Sequence, residues 1–433
     1  MASRKFQQMS VLTMSTLAFT VCFMTWVIFS VIGIPIKTML QLNETQFGLL
    51  AATPILTGAL IRLPLGMWTD RHGGRIVFFL LMLSTIIPIY LISYATEYWQ
   101  FLVLGLFAGV AGGAFSVGIS YVSHWFSARH KGAAMGVFGA GNTGAAVTKF
   151  LAPALVVAYG WEVVPKVYAA IMTVMAILFW FLTYSDPSHK VASTTTIKQQ
   201  LAVLKDPKVW KYCQFYSVVF GGYVGVSLWM TKYYVSEYGH DLKTAALLAA
   251  IFVFPSGVIR ALGGWFSDRF GAHNVTWWVL WVSLVCLFFM SYPEINLLIK
   301  TVNGQKSMHI ALSEATFTAL LFIVGIAWGI GKASVFKYIS DQYATKNVMG
   351  VVSGIVGLAG GLAGFLLPII FGALVDLTGV RTTAWMQLFG ATAISLIWFY
   401  WPHTREDILA PDGHRNKTEA THVHAGRHES IAS

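Results

Sequence analysis

The chain alternates long apolar runs with short polar ones. Twelve runs are long enough to cross a bilayer, near residues 11–33, 46–67, 76–94, 100–126, 132–158, 166–184, 210–233, 244–266, 274–292, 311–338, 347–374 and 383–402. A spanning helix needs about 20 mostly apolar residues. The pattern therefore predicts an all-α membrane protein with twelve transmembrane helices. Two polar stretches are longer than a turn. The first, 185–209, carries Lys190, Lys198, Lys205 and Lys208, and the second is 403–433. They divide the chain into an N-terminal six-helix bundle (1–184), a cytoplasmic linker (185–209), a C-terminal six-helix bundle (210–402) and a disordered cytoplasmic tail (403–433). The start, Met1 to Ser10, is short and carries Arg4 and Lys5, and no small-residue cleavage site follows. It reads as the approach to a first span rather than a removable leader.

Composition strengthens that picture. Of 433 residues, 56% are hydrophobic and 11% charged, against about 25% charged in soluble domains. Mean hydropathy is +0.65. A net charge of +11 does not point to nucleic acid, because the basic residues concentrate in loops and tails. Arg71 and Arg75, Arg129 and Lys131, the linker, and Arg269 fall on alternate loops, and the intervening loops hold Glu97, Glu162 and Glu237. By the positive-inside rule the basic side faces the cytoplasm. An even span count puts both termini there, in a multi-pass protein of the cytoplasmic (inner) membrane. Cys22, Cys213 and Cys286 lie in or beside apolar runs without metal-ligand spacing, so they read as packing residues. The tail histidines His414, His422, His424 and His428 read as part of a solvated segment. No nucleophile–base pair, metal cluster or dinucleotide fingerprint is present, so neither an enzyme nor a cofactor is expected. Nothing calls for an assembly, and a monomer is expected.

An internal repeat sets the candidate chemistry. Ile61-Arg62 through Gly73 is echoed by Ile259-Arg260 through Gly271. At this offset of 198 residues Ile61, Gly66, Asp70, Arg71 and Gly73 recur as Ile259, Gly264, Asp268, Arg269 and Gly271. A second echo relates Met135-Gly136-Val137 to Met349-Gly350-Val351. Parallel six-span repeats place a substrate site between halves, near the bilayer midplane. Arg62 precedes Asp70 by eight residues, about 12 Å along a helix, and half a hydrocarbon core is about 15 Å. Arg260 precedes Asp268 by the same eight residues and reaches the same depth. A guanidinium stays charged, so in hydrocarbon it must pair or face water. No Asp or Glu lies at matching depth in the apolar runs, so the partner is expected to be an anion that enters and leaves. The guanidinium fork suits planar oxyanions.

Two further motifs are specific. Gly66-x-x-x-Asp70-Arg71-x-Gly73-Gly74-Arg75, with its weaker copy from Gly264 to Gly271, resembles the loop motif of the major facilitator superfamily. Glycine permits close helix approach, and Asp70 can cap a neighbouring helix or pair with a basic residue. The glycine-rich fifth run holds Gly139-x-Gly141-Asn142-x-Gly144 followed by Val147-Thr148. The eleventh holds Gly354, Gly357 and Gly361. These resemble the paired signatures of the nitrate/nitrite porter family (NarK-like), and with both arginines the resemblance covers nearly the whole chain.

That resemblance implies a major facilitator fold of two six-helix bundles, with Arg62 and Arg260 clamping nitrate or nitrite between aromatic rings. Tyr216 and Phe220, four apart on the seventh run, match that aromatic pattern, and Phe115 matches the ring of the fourth. Asn142, eleven residues beyond Lys131 or about 16 Å, reaches the plane of the arginines. The gating set is Gly66, Asp70, Arg71, Arg75, Gly264, Asp268, Arg269, Gly139, Gly141, Gly144, Gly354, Gly357 and Gly361. Lys149 stands where many members have Gln and is expected to snorkel outward or take part in coupling. Lys332, in Gly329 to Lys337, lies in a run similar to the proton-coupled branch. It is expected to take part in coupling, or else to supply fixed positive potential. The leading expectation is nitrate import with protons as co-substrate. Nitrate/nitrite exchange, an anion channel and a non-transporting sensor are the alternatives.

Overall fold

A computed structural model describes residues 3–185, 202–302, 304–343 and 349–400. Among them the helices join into twelve rods. Rod α1 comprises Arg4–Trp26 and Phe29–Met39; α2, Glu44–Leu60 and Arg62–His72; α3, Gly74–Ile92. Rod α4 runs through Tyr98–Ala108, a 3₁₀ turn at Gly109–Gly113, and Ala114–Trp125. Rod α5 runs through Ala128–Gly139, a 3₁₀ turn at Ala140–Thr143, and Gly144–Tyr159; α6 is Val163–Leu182. Rod α7 is Pro207–Tyr216, a π turn at Ser217–Gly221, and Gly222–Tyr238. Rod α8 is Leu242–Val258 and Arg260–Phe270; α9, Ala272–Met290; α10, Glu314–Tyr343; α11, Met349–Thr378; α12, Thr383–Tyr400. Eight stretches are long and apolar enough to cross a membrane by themselves, and the two segments of α8, bent by 48°, together make a ninth. The remaining rods include α5 and α7, which are broken at mid-length.

Helix ends follow local chemistry. Asn43 opens α2 with a reciprocal capping box to Gln46, which satisfies two otherwise orphaned backbone donors. Asp206 precedes Pro207, which occupies the first turn of α7, where a missing N–H costs nothing. Gly239 ends α7 in the left-handed region, φ 71°, which glycine reaches without Cβ strain.

Hydrophobic runs locate the rods better than their edges. Rod α1 begins at Arg4 because Ser3 caps it, accepting from Phe6 N; helical structure thus precedes the apolar stretch expected from residue 11. Rod α7 starts at Pro207 and α10 runs on to Tyr343. Most of the expected linker and the whole expected tail lie outside the described residues. One element is absent from the pattern of spans, a hairpin pairing Ile295–Thr301 (β1) with Gly304–Ile310 (β2), Ile295 opposite Ile310. Its signal is in the sequence all the same: Asn303 and Gly304, between the two strand-forming stretches, are residue types that favour chain reversal.

The first six rods pack mainly on one another, as do the last six. Among the described residues four pairings join the halves: α2 with α11, α5 with α8, α1 with α7 and, less extensively, α2 with α7. Bulky rings fill the interior, including Trp26, Trp229, Trp328 and Trp385. Ile87, Val157 and Phe181 point outward, where a bilayer replaces water.

Candidate functional site

Both arginines stand at a break in a helix. Ile61 and Ile259 each interrupt a rod, and Arg62 and Arg260 open the segments that follow. Pro54 and Pro255 lie upstream in the same rods, where each removes a ladder hydrogen bond. The 3₁₀ turns of α4 and α5 and the π turn of α7 interrupt three more rods near mid-length. Irregular backbone at membrane depth persists only where protein or an aqueous cavity satisfies it. With the break in α1 between Trp26 and Phe29, six of the rods share such an irregularity.

The guanidiniums converge. Arg62 is buried and donates from Nη1 to the Gly357 carbonyl at 3.1 Å. Its Cζ lies 5.3 Å from the Phe220 ring centre, 5.6 Å from Trp26 and 5.7 Å from Phe115. Arg260 Cζ lies 5.1 Å from the same Phe115 ring. The two distances to this shared ring bound the separation of the guanidinium carbons at 10.8 Å. At that bound they repel by about 1.5 kcal/mol for an effective dielectric of about 20. A monovalent anion midway would gain about 3 kcal/mol from each, so attraction through a shared anion exceeds the repulsion.

The hydrogen-bond inventory around them is one-sided. Arg62 Nε, Arg260 Nη1 and Asn142 Nδ2 are buried without a partner among the described residues. All three are donors. A buried donor left unsatisfied costs about 1–3 kcal/mol, and more when charged. An acceptor-only guest would satisfy all of them.

Aromatic and small residues shape the space. Tyr216 and Phe220 stack with ring centres 5.0 Å apart and planes 10° from parallel. Gly360 makes room for them: a Cβ built there would stand 2.5 Å from Tyr216 Cδ1. Phe336 meets Tyr216 edge-on at 4.8 Å. Trp26 donates to the Pro54 carbonyl at 2.8 Å. Tyr223 reaches the Asn142 carbonyl at 3.5 Å, and Lys332 Nζ sits 3.4 Å from the centre of the Tyr223 ring. Lys332 is fully buried and donates to Ser256 Oγ at 3.1 Å. Arg62, Arg260, Phe115, Tyr216 and Phe220 therefore meet, and Asn142 and Lys332 adjoin them through Tyr223. Trp26, Tyr223, Phe336, Ser256 and Gly360 do not stand out in the sequence. Tyr223 follows Phe220 by one helical turn and Gly360 lies in a glycine run, but nothing in the sequence distinguishes Trp26 from core tryptophans.

Comparison with known proteins decides the family. The chain matches the Major Facilitator Superfamily over residues 14–368. It is 39% identical over 406 residues to a protein of Thermus thermophilus named "Probable nitrate/nitrite antiporter NarK1", covering 91% of each chain. This chain belongs to the nitrate/nitrite porter family of the major facilitator superfamily. It is also 31% identical to the "Probable nitrate transporter NarT" of Staphylococcus haemolyticus, over 88% of this chain and 94% of that one. The "Nitrite extrusion protein" of Bacillus subtilis is 29% identical, over 90% and 94%. Among solved structures, a bacterial homologue of the human lysosomal transporter Spinster aligns with TM-score 0.66 and 17% identity, over 91% of this chain and 93% of that one. This likeness carries the fold. The porter is a multi-pass membrane transporter, not an enzyme.

In this porter the signature glycines divide their work. A Cβ on Gly141 would lie 2.4 Å from Phe19 Cδ1, and one on Gly144 would lie 2.1 Å from the Thr20 carbonyl, so both seat α5 against α1 within one half. Gly139 faces Arg260, with a Cβ 3.6 Å from its Nε; Gly357 faces Arg62; Gly354 and Gly361 face Leu63 and Ala59 of α2. These four lie between halves.

The end of the rods near Glu44 is tightly closed. Asp376 of α11 accepts from Glu44 N at 3.1 Å, Thr45 N at 2.8 Å and Thr45 Oγ1 at 2.6 Å, capping α2. Lys232 of α7 pairs with Glu44, and Lys37 approaches it at 3.6 Å. A Cβ on Gly48 would stand 2.2 Å from the Pro368 carbonyl, and one on Gly372 2.2 Å from that of Glu44. Lys149 corrects the expectation of snorkelling. It is buried and donates to Ser30 Oγ at 2.9 Å and Thr231 Oγ1 at 2.8 Å, because those hydroxyls give the ammonium a partner inside the protein.

Among the described residues the Asp70 end is looser. Gly66 and Gly264 have none of them within 4 Å of an added Cβ, so the expected close approach is not made by the described residues. Arg71 is exposed, and the Asp70 side chain lies outside the described ones. Arg75 donates from Nη2 to the Trp180 carbonyl at 2.6 Å and stacks on that indole at 4.5 Å. Asp268 pairs with Lys337 at 3.3 Å, while Arg269 rests 5.6 Å from the Trp265 ring. These contacts stay within one half.

Proposed function

We propose that this chain imports nitrate across the cytoplasmic membrane by proton symport. One observation carries the substrate class: three buried, unpartnered N–H donors on Arg62, Arg260 and Asn142, beside the Phe115 and Phe220 rings. A small planar oxyanion accepts at every edge and presents flat faces to rings. The names of the Thermus and Staphylococcus relatives support nitrate among such anions.

Coupling is required because anion import opposes an inside-negative potential by about 2.3 kcal/mol per 100 mV. Two or more protons per nitrate make import electrically downhill. Lys332 is the candidate carrier. It shares the Tyr223 neighbourhood with Asn142, and an ammonium can release a proton where a guanidinium cannot. The positive-inside pattern supports a cytoplasmic Asp70 end with both termini on that side, and on this reading the conformer described is closed to the outside. Rocking of the halves about α2–α11 and α5–α8 then exposes the clamp to each side in turn. A second reading is nitrate/nitrite exchange, which the name of the Thermus relative favours.

Uptake into proteoliposomes tests the coupling. With nitrate outside, an imposed acid-outside gradient alone is expected to drive accumulation, and Lys332→Met is expected to remove that drive. Uptake that requires trapped nitrite, whatever the gradient, would replace symport with exchange. Unchanged gradient-driven uptake in Lys332→Met would remove Lys332 from the mechanism.

A further inference from the structure

Lys149 is a second buried cation that the clamp does not use. No carboxylate pairs with it among the described residues; its bonds go to the hydroxyls of Ser30 and Thr231. These partners come from different halves, Ser30 on α1 and Thr231 on α7, while Lys149 belongs to α5. Each hydroxyl accepts from the ammonium, so its own hydrogen remains to donate, and neither donates to another described residue. Ser227, one turn before Thr231 on α7, is 1% exposed and its Oγ has no partner among the described residues. Tyr223, Ser227 and Thr231 are spaced by four and form one stripe of α7. Thr231 is eight residues beyond Tyr223, about 12 Å along the helix. The stripe leads from the clamp to the Lys232–Glu44 pair at the closed end.

Resting on the nitrate reading above, we propose that Lys149, Thr231, Ser30 and Ser227 form a second anion subsite that captures the substrate when the Glu44 end opens. In the closed conformer the ammonium is satisfied internally. Parting of the halves draws Thr231 away from Lys149 and Ser30, freeing an N–H at the mouth of the path. An incoming oxyanion takes the vacated bond, then moves along the Ser227 hydroxyl to the clamp. Reclosure returns Thr231 to Lys149 and removes the reason for the anion to stay. The site thus acts on one side of the cycle only.

That sidedness is the test. Initial nitrate uptake is measured in right-side-out and inside-out vesicles carrying the full chain, with Lys149→Gln, Lys149→Arg and Ser227→Ala. Gln keeps a donor, on a side chain one atom shorter, but not the charge. Lys149→Gln is expected to raise KM about tenfold for nitrate presented at the Glu44 end, with KM at the Asp70 end within twofold of the parent. Lys149→Arg should restore most of the affinity. Ser227→Ala, which removes a hydroxyl no described residue uses, should raise KM about threefold on the same side only. Equal KM changes on both sides, or lower turnover with KM unchanged on both, would overturn the subsite in favour of a purely structural bridge. So would an unchanged KM in both Lys149→Gln and Ser227→Ala. A parent chain that moves no nitrate would instead overturn the nitrate reading itself, and the subsite with it.

Discussion

The two ends of this porter are held by different forces. At the Glu44 end the halves touch backbone to backbone through Gly48 and Gly372, and a carboxylate of one half caps a helix of the other. At the Asp70 end the described charges are spent within a half, as in Asp268–Lys337, and Gly66 and Gly264 of the loop motif face open space among the described residues. The comparison teaches that a duplicated sequence need not produce two equal gates at once. Alternating access requires that one end be sealed while the other is loose, and here the seal rests on steric fit plus charge.

The largest break should come from steric fit. Gly48→Ala places a Cβ against a carbonyl that cannot move without shifting α11. Overpacking of this kind costs about 1–3 kcal/mol, enough to depopulate the sealed conformer about 5- to 160-fold. Spin labels at Met39 and Leu377, both exposed, should report a longer distance between α1 and α11. Gly66→Ala, with free space around it, should leave that distance distribution unchanged.

Charge comes next. Glu44→Gln leaves Lys232, 4% exposed, without its anion. Removing one partner of a fully buried pair costs about 3–5 kcal/mol. The Glu44 side chain is 21% exposed, so solvent softens the loss, and a shift of about tenfold toward the opened end is expected in the same label measurement. Adding Lys232→Met should return part of it. At the other end, Asp268→Asn breaks a pair whose side chains are 67% and 37% exposed. Exposed pairs contribute about 0–1 kcal/mol, and thermal stability should barely move.

The smallest effect concerns pH. The Asp241 carboxylate caps α8 outside the span, and hydrogen bonds from the Thr244 side chain and backbone hold its pKa below the ordinary carboxylate value. A depressed folded-state pKa stabilises the fold at neutral pH, and the contribution is lost as pH falls through that lowered value. The thermal-stability difference between the parent and Asp241→Asn should therefore be constant from pH 8 to 6 and change only in strongly acidic buffer.

Much of the centre is legible in sequence because charge in hydrocarbon is expensive. Arg62 and Arg260 stand out for that reason, and their equal spacing from Asp70 and Asp268 gives their depth. The aromatic positions Phe115, Tyr216 and Phe220 come through the family resemblance; periodicity alone does not separate a ring facing the site from one facing lipid. Lys149 is not the snorkelling residue its depth suggests, because a one-dimensional depth estimate is blind to hydroxyls on other rods. The closed end is not legible at all. Its contacts join Glu44 to Asp376 and Gly48 to Pro368, more than 300 residues apart, and the residue types alone are those of ordinary helix ends.

Equilibrium binding of nitrate to the purified porter, its Arg62→Ala variant and its Arg260→Ala variant tests the clamp most directly. Truncating one partner of a buried, hydrogen-bonded charge pair costs about 2–5 kcal/mol, so each variant is expected to bind at least about thirtyfold more weakly by calorimetry. Nitrate bound by both variants as tightly as by the parent would contradict the account.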